Sequence, residues 1–219
     1  MTRRPPTALT RAAAIAVLAL LPLLGAACEG PSASLPTAVV CEPDLDVRAA
    51  GAVPALEALL PRGMIERAPD TVDSGWNCTE RSLGTYWTHD VRQLWFAGAT
   101  WNYGGGDATV AAILRTPPSA AALQAAWVEE FYATGAARST KTENIEVTRP
   151  IMAGAGPVYH LQTLNDLSLQ TVVVWPAQPF VRVVIVATQV QPGASRAEHD
   201  QRVATAVEVA ATVPVPSPS

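Results

Sequence analysis

The chain has 219 residues with a formal net charge of −4, and 49% of them are hydrophobic. This length and composition are typical of a globular protein with one domain and a proper core. The acidic balance argues against nucleic-acid binding and against a polybasic contact with a membrane surface.

The amino terminus has the parts of a signal peptide. Three arginines (Arg3, Arg4 and Arg11) accompany an apolar run over 12–24, shorter than the ~20 residues needed to span a bilayer. The run ends in Leu24-Gly25-Ala26-Ala27-Cys28. Small residues ahead of a cysteine resemble the lipobox of bacterial lipoproteins, whose signal peptide is cut before a cysteine that carries diacylglycerol. The resemblance implies that 1–27 is removed and that lipidated Cys28 anchors the protein in the lipid bilayer, extracytoplasmically, on the outer face of the cell membrane. A plain secreted protein cut after Ala27 is the alternative.

The cysteine count favours lipidation. The chain has three cysteines, Cys28, Cys41 and Cys78. With Cys28 lipidated, the other two form an even pair in an oxidising compartment, which predicts a disulfide between Cys41 and Cys78. Two free cysteines, or half of a metal site, are the alternatives. Losing the three leader arginines takes the formal charge from −4 to −7.

Residues 28–40 have the Gly, Pro, Ser and Thr content of a tether, and 214–219 read as a disordered tail. Between them, 41–213 predicts a single α+β domain. Its first half predicts a helix at 54–60, strands at 76–87, 91–103 and 108–114, and a turn at 104–107. A helix is predicted over 120–134, with Ser119 as N-cap, Gly135 as its stop and an apolar stripe of Leu123, Trp127 and Phe131.

The second half predicts four strands and a terminal helix. The strands are expected at 145–152, 158–165, 169–175 and 180–190. The helix begins at a capping box, Ser195 to Glu198, and its apolar stripe is Val203, Ala206, Val207 and Ala210. Residues 172–175 and 181–186 are β-branched nearly throughout, so both faces of the sheet need cover. The predicted fold is therefore an antiparallel sheet sandwiched between helices.

This order of elements carries a second resemblance. Residues 158–164 (Val-Tyr-His-Leu-Gln-Thr-Leu), then 170–175, a turn, 181–187 and an amphipathic helix resemble the PsbP-like superfamily. That group includes thylakoid-lumen photosystem II subunits and mycobacterial lipoproteins. The resemblance covers about residues 91–213 and implies an α/β/α fold with accessory or binding roles and no catalytic residues. One lysine against fourteen arginines indicates a GC-rich bacterial genome, such as that of an actinobacterium.

No motif indicates catalysis, a cofactor or a metal. The histidines, His89, His160 and His199, have neither H-x-H nor H-E-x-x-H spacing. His160 is expected on a sheet face, and His199 at the boundary of the last helix's apolar stripe. There is no G-x-S-x-G elbow, and the glycines at 104–106 lack the lysine of a phosphate-binding loop. The sequence therefore predicts a non-enzyme without cofactors.

Seven of the thirteen aromatic residues lie between residues 76 and 103. Trp95, Trp101 and Tyr103 share one parity, and hence one face, of a predicted strand. Cross-strand packing under a helix is one interpretation. An apolar groove or partner surface is the other, because Trp and Tyr dominate such contacts.

The first function hypothesis is a non-catalytic lipoprotein that binds a protein partner or an apolar small molecule, with its contact on the strand carrying Trp95, Trp101 and Tyr103. An envelope enzyme with an unrecognised active site and a structural or assembly component are the alternatives.

Overall fold

The computed structural model describes Cys41 and residues 45–165, 168–190 and 195–216. The predicted signal peptide, Cys28 and the predicted tether lie outside the described residues. So do 217–219 of the predicted tail, while 214–216 are described and have no regular secondary structure.

The described chain is mixed α and β, dominated by one antiparallel sheet. Its strands are β1 (Val47–Ala49), β2 (Thr71–Asn77), β3 (Leu94–Gly104), β4 (Asp107–Arg115), β5 (Thr142–Thr148), β6 (Ile151–Met152), β7 (Gly156–Pro157), β8 (Tyr159–Asn165), β9 (Ser168–Ala177) and β10 (Phe180–Gln189). Eight of them form the sheet, in the order β1-β2-β3-β4-β10-β9-β8-β5, and β6 pairs with β7. The expected antiparallel sheet is confirmed.

Helices pack on the sheet from both sides. They are α1 (Pro54–Glu57), α2 (Glu80–Leu83), α3 (Ala125–Arg138) and α4 (Arg196–Thr212), with a 3₁₀ helix at Gly84–His89. One apolar cluster contains residues of α1 and α4, and the other contains residues of α2, the 3₁₀ helix and α3. We call the two sides of the sheet the α4 face and the α3 face, and the apolar clusters on them the α4 cluster and the α3 cluster.

Side chains alternate between these faces along the central strands. In β10, Val184 and Val186 belong to the α4 cluster, whereas Val181 and Val183 belong to the α3 cluster. Successive residues of a strand point to opposite faces, so this β-branched strand is buried on both. The expectation that both faces are covered is confirmed.

The terminal helix follows its sequence signals closely. The Ser195 side chain accepts from the Glu198 amide, and the Glu198 carboxylate accepts from the Ser195 amide, so the capping box is complete. The predicted stripe is buried. At the other end, the buried Arg182 guanidinium donates to the carbonyls of Ala210 and Val213. It thereby satisfies carbonyls that the helix leaves without partners.

The predicted strand at 76–87 is wrong beyond residue 77. Thr79 ends the extended segment because its hydroxyl accepts from the Ser82 amide and caps α2. Residues 80–83 then form α2 and residues 84–89 form the 3₁₀ helix, which brings Tyr86 into the α3 cluster. The strand assignment missed a Thr-Glu helix start inside an aromatic-rich segment.

The limits of α3 also differ from those predicted. The helix begins at Ala125 after Gln124, not after Ser119, and continues through Gly135 to Arg138. Thr116 donates its hydroxyl to the Ala121 carbonyl at 2.6 Å, which holds the preceding segment as a loop. Leu123, two residues ahead of the helix, is nevertheless buried, at 1% exposure, so the predicted apolar stripe begins before the helix does.

Cys41 and Cys78 lie at disulfide distance, with Cα atoms 5.6 Å apart. The predicted pairing is confirmed at the level of this geometry. Cys41 precedes β1 and Cys78 follows β2 directly, so the pair joins the start of the domain to its second strand.

Candidate functional site

The predicted aromatic contact lies inside the domain, on the α4 face of the sheet. Trp95 and Trp101 are both 0% exposed and lie in the α4 cluster, with Tyr103 partly buried against it. Their common face is therefore confirmed. Since neither indole reaches the surface, the structure corrects the alternative that placed a groove on these tryptophans: they are core. The Trp101 Nε1 donates to the Arg67 carbonyl at 2.9 Å, whereas the Trp95 Nε1 has no partner among the described residues.

An open cleft lies on the other side of the sheet. A cavity of about 450 Å³ opens between the last turns of α3, the start of the 3₁₀ helix and strands β8 and β9. We call it the α3 cleft. Its apolar lining includes Phe131, Tyr132, Ala136, Leu161 and Val172. Its volume falls within the roughly 300–1,000 Å³ of ordinary small-molecule sites.

Aromatic rings form one wall of this cleft. Phe131 stacks on Tyr86 with centroids 4.9 Å apart and 14° between the planes, and meets Tyr132 edge-on at 5.5 Å. Gly84 makes room for this packing, because a Cβ there would lie 3.2 Å from the Phe131 ring on a backbone with φ +52°. Burial raises the pKa of Tyr132 to about 12 and that of Tyr86 well above its usual value. Both phenols therefore stay neutral.

A second cavity, of about 250 Å³, lies across Phe131 and Tyr132 from the first and shares both as walls. Its floor is apolar and includes Phe96, Val110, Ala112 and Leu114. The Arg48 Nε and Asp73 Oδ2, 2.6 Å apart, form an ion pair among its lining residues. The two cavities together extend along much of the α3 face.

Two arginines converge on the α3 cleft from different elements. Arg81 of α2 and Arg138 of α3 both line it, and both are exposed. Neither has a hydrogen-bond, ion-pair or ring partner among the described residues, a property that they share only with Arg62. The other described arginines bond to carboxylates or carbonyls; they are Arg48, Arg67, Arg92, Arg115, Arg149, Arg182, Arg196 and Arg202.

Neutral polar groups line the rest of the cleft. Thr142 donates to Asn165 at 2.6 Å, and the Asn165 amide donates to Gln170 at 2.9 Å, so these three satisfy one another at the β5 side. Thr85 lines the cleft near Arg81, and its buried hydroxyl oxygen has no partner in the described chain. No carboxylate, histidine or cysteine is among the described residues that line this cavity.

The three histidines lie in three separate places. His89 Nε2 lies 2.6 Å from Glu130 Oε2, with the ring stacked on Trp127 at 5.0 Å. His160 is half-buried on β8, as expected for a sheet face, with its Nδ1 3.3 Å from the Thr148 hydroxyl. No group of three or more His, Cys, Asp or Glu side chains among the described residues is placed to hold a metal ion.

His199 is a core residue and not the expected boundary residue. It is 1% exposed, and its ring nitrogens lie 2.7 Å from the Thr171 hydroxyl and 2.9 Å from the Thr188 hydroxyl. Gln162 donates to the same Thr171 at 3.1 Å. Burial lowers the pKa of His199 below its ordinary value, and it does the same to the half-buried His160. This network ties α4 to the sheet; it lies on the opposite face from the α3 cleft.

Sequence reasoning missed the cleft for an identifiable reason. With 76–87 taken as a strand, Arg81 and Gly84 had no place near α3. With α3 ended at Gly135, Arg138 fell outside the helix. The adjacent Phe131 and Tyr132 were a usable signal, since neighbouring aromatic residues on a helix cannot both point into one core stripe.

No protein-family model, no curated protein and no solved structure matches this chain. Within the described residues, no helix has the length and apolar character needed to cross a membrane.

Proposed function

We propose that this chain is an extracytoplasmic bacterial lipoprotein, anchored by lipidated Cys28, whose domain binds an apolar small molecule in the α3 cleft. The observation that carries the binding role is the cleft itself: an open cavity of about 450 Å³ with an aromatic wall and an apolar floor. Sites for small molecules are concave, mostly apolar and carry a few polar groups that orient the ligand.

The lining favours binding over catalysis. General acid–base chemistry needs a group that exchanges protons near neutral pH, usually a histidine or a carboxylate. Among the described residues that line the cleft, the ionisable side chains are those of Arg81, Arg138 and Tyr132, and burial raises the pKa of Tyr132 to about 12. A non-catalytic role is therefore the simpler proposal, and an envelope enzyme is the alternative that it replaces.

The proposed kinship is to PsbP-like proteins. It is supported by the order of the elements after residue 91: two strands, a helix, a run of strands and a C-terminal helix. Helices on both faces of the antiparallel sheet also fit that fold. Accessory and binding roles are what such a kinship implies.

Filling the cleft tests the binding role. Gly135 lines it from the last turn of α3, and a Cβ added there meets no atom within 4 Å. Gly135→Phe should therefore place a ring in the cleft without a backbone clash, and it should slightly favour the helix, because glycine is a poor helix former. Ala137→Phe is the matched control: it adds the same ring on the same helix turn at an exposed residue that does not line the cleft.

The measurement is calorimetric titration of decanol, a neutral alkyl probe, into the full-length chain in nanodiscs of neutral phosphatidylcholine, with empty nanodiscs subtracted. We expect binding by the wild type and by Ala137→Phe, and loss of at least tenfold in Gly135→Phe with its melting temperature preserved. Equal binding by Gly135→Phe, or no binding by any form, would exclude the α3 cleft as an apolar site.

Anchoring has a test of its own. Cys28→Ala removes the thiol that carries the acyl chains, and stable attachment needs two or more chains. The variant should leave the membrane fraction, or remain there only as an uncut precursor of higher mass. A processed protein that stays in the membrane without Cys28 would contradict the lipobox interpretation.

A further inference from the structure

We propose that the α3 cleft selects an amphipathic anion: an alkyl chain that ends in a carboxylate or a phosphate, with the charged group held by Arg81 and Arg138. This inference rests on the proposed function, since it assigns the chemical class of the molecule in the same cleft. Three observations carry it, and each concerns the mouth of the cavity rather than its floor.

The first observation is the two guanidinium groups. Arg81 and Arg138 line both the α3 cleft and a contiguous cavity of about 590 Å³ at its mouth, which Thr85 and Thr88 also line. Carboxylates outnumber basic residues in this chain, 19 to 15. In so acidic a protein, two arginines without partners in the described chain, at one cavity mouth, form a local positive patch. Arginine presents a planar fork of donors that matches carboxylate and phosphate oxygens.

The second observation is that neither a helix dipole nor an ion pair fully explains the presence of the two arginines. Arg138 lies in the last turn of α3, where a positive charge also favours the helix dipole, so a structural role explains its presence in part. That role explains less of the presence of Arg81, because the helix that carries it has only four residues and hence a small dipole. Among the described residues that line the mouth, Glu80 is the one with a carboxylate, and it makes no ion pair with Arg81 within 4 Å. The Glu80 carboxylate therefore lies beside the positive patch without pairing with the Arg81 guanidinium.

The third observation is the hydroxyl of Thr85. Its oxygen is buried without a partner among the described residues, in the wall that Arg81 and Arg138 also line. A buried hydroxyl without a partner is costly, and a bound acceptor would satisfy it. The polar groups at the β5 side of the cleft already pair with one another, as Thr142 does with Asn165. The mouth is therefore where an incoming anion finds donors that have no partner among the described residues.

The geometry orders the ligand along the cleft. The charged end lies at Arg81 and Arg138, and the alkyl chain runs inward over Leu161 and Val172 toward the rings of Phe131 and Tyr132. Among the described residues of this inner part, the neutral phenol of Tyr132 and an apolar floor offer no second charge, so it favours a hydrocarbon.

The experiment compares decanoate, decyl phosphate and neutral decanol on the full-length chain in the same neutral nanodiscs. We expect the two anions to bind at least tenfold more tightly than decanol, and their relative affinities to show whether a carboxylate or a phosphate is preferred. The double variant Arg81→Ala/Arg138→Ala should lose about tenfold for the anions, as expected for lost charge-assisted hydrogen bonds, and little for decanol.

Matched controls separate charge from packing. Arg62→Ala removes another exposed arginine without a described partner, one that does not line the cleft, and it should leave every affinity unchanged. Arg81→Lys/Arg138→Lys should recover most of the anion binding, and added salt should weaken only the anions. Equal affinities for decanoate and decanol would contradict the proposed anionic head group. Equal losses of anion affinity in the Arg62 variant and the double variant would do the same. Neither result would contradict the apolar site.

Two further outcomes are decisive. Displacement of decyl phosphate by inorganic phosphate at equal concentration would mean a site for free anions, which overturns the amphiphile. Absence of binding by decanol and by both anions would instead remove the proposed function on which this inference rests.

Discussion

Trp95 and Trp101 form a natural pair for measuring what a buried indole N–H costs or contributes. Both are 0% exposed, on the same face of the same strand. The N–H of Trp101 donates to the Arg67 carbonyl at 2.9 Å, and the N–H of Trp95 has no partner in the part of the chain that the structure describes. Replacing each by phenylalanine removes a similar volume, so the cavity terms nearly cancel in the comparison.

The remaining terms have opposite signs at the two positions. At Trp101 the loss of one hydrogen bond costs about 1 kcal/mol, near the net value, because the Arg67 carbonyl still accepts the Met64 amide at 2.9 Å. At Trp95 removal of an unpaired buried donor relieves roughly 1–2 kcal/mol. The Arg115 guanidinium lies 5.9 Å from the Trp95 ring, and weakening that contact costs about 0.5 kcal/mol. Trp101→Phe should therefore be the more destabilising by about 2 kcal/mol.

The assay is urea unfolding of both variants and the wild type under oxidising conditions, followed by circular dichroism so that the signal does not depend on the tryptophan removed. Equal denaturant slopes make the difference in midpoint a difference in stability. If Trp95→Phe proves as destabilising as Trp101→Phe, or more so, the Trp95 N–H has a partner, such as a buried water, and the reasoning fails.

Two other predictions concern pH and the cysteine pair. Burial lowers the pKa of His199 and of His160, so each histidine stabilises the folded state fully above its pKa in the unfolded chain, about 6.5. This stability is lost as the pH falls below that value, at up to about 1.4 kcal/mol per pH unit for each histidine. The melting temperature should fall between pH 7 and pH 5, and by less in His199→Gln; an unchanged slope in that variant would assign the effect elsewhere. For the cysteines, alkylation of the unfolded, unreduced protein should leave Cys41 and Cys78 unlabelled by mass, and reduction should cost about 3–4 kcal/mol for a loop of 37 residues; two labelled sites would show that the bond does not form.

Sequence reasoning was most successful where local chemistry and periodicity agree. The capping box at Ser195, the β-branched run in β10 and the glycine turn after β3 all form as predicted, because each signal acts within a few residues. It failed at residues 78–89, where aromatic side chains suggested a strand but Thr79 starts a helix. It also ended α3 too early, since tertiary packing outweighs the low helix propensity of Gly135. The α3 cleft depends on both segments, and so it could not be found from local pattern alone.

A disulfide bond between Cys41 and Cys78, which lie at disulfide distance, would have a mechanical consequence if Cys28 is the anchor. Twelve residues lie between Cys28 and Cys41, which limits the reach of the domain from the membrane to about 45 Å. Tension on residues 29–40 would enter the fold at Cys41. The disulfide would carry it directly to the end of β2, so the three-residue β1 would not bear it. The load is then shared along the seven-residue ladder between β2 and β3 instead of peeling a short edge strand. Reduction of the bond would redirect the same tension through β1, the weakest seam of the sheet.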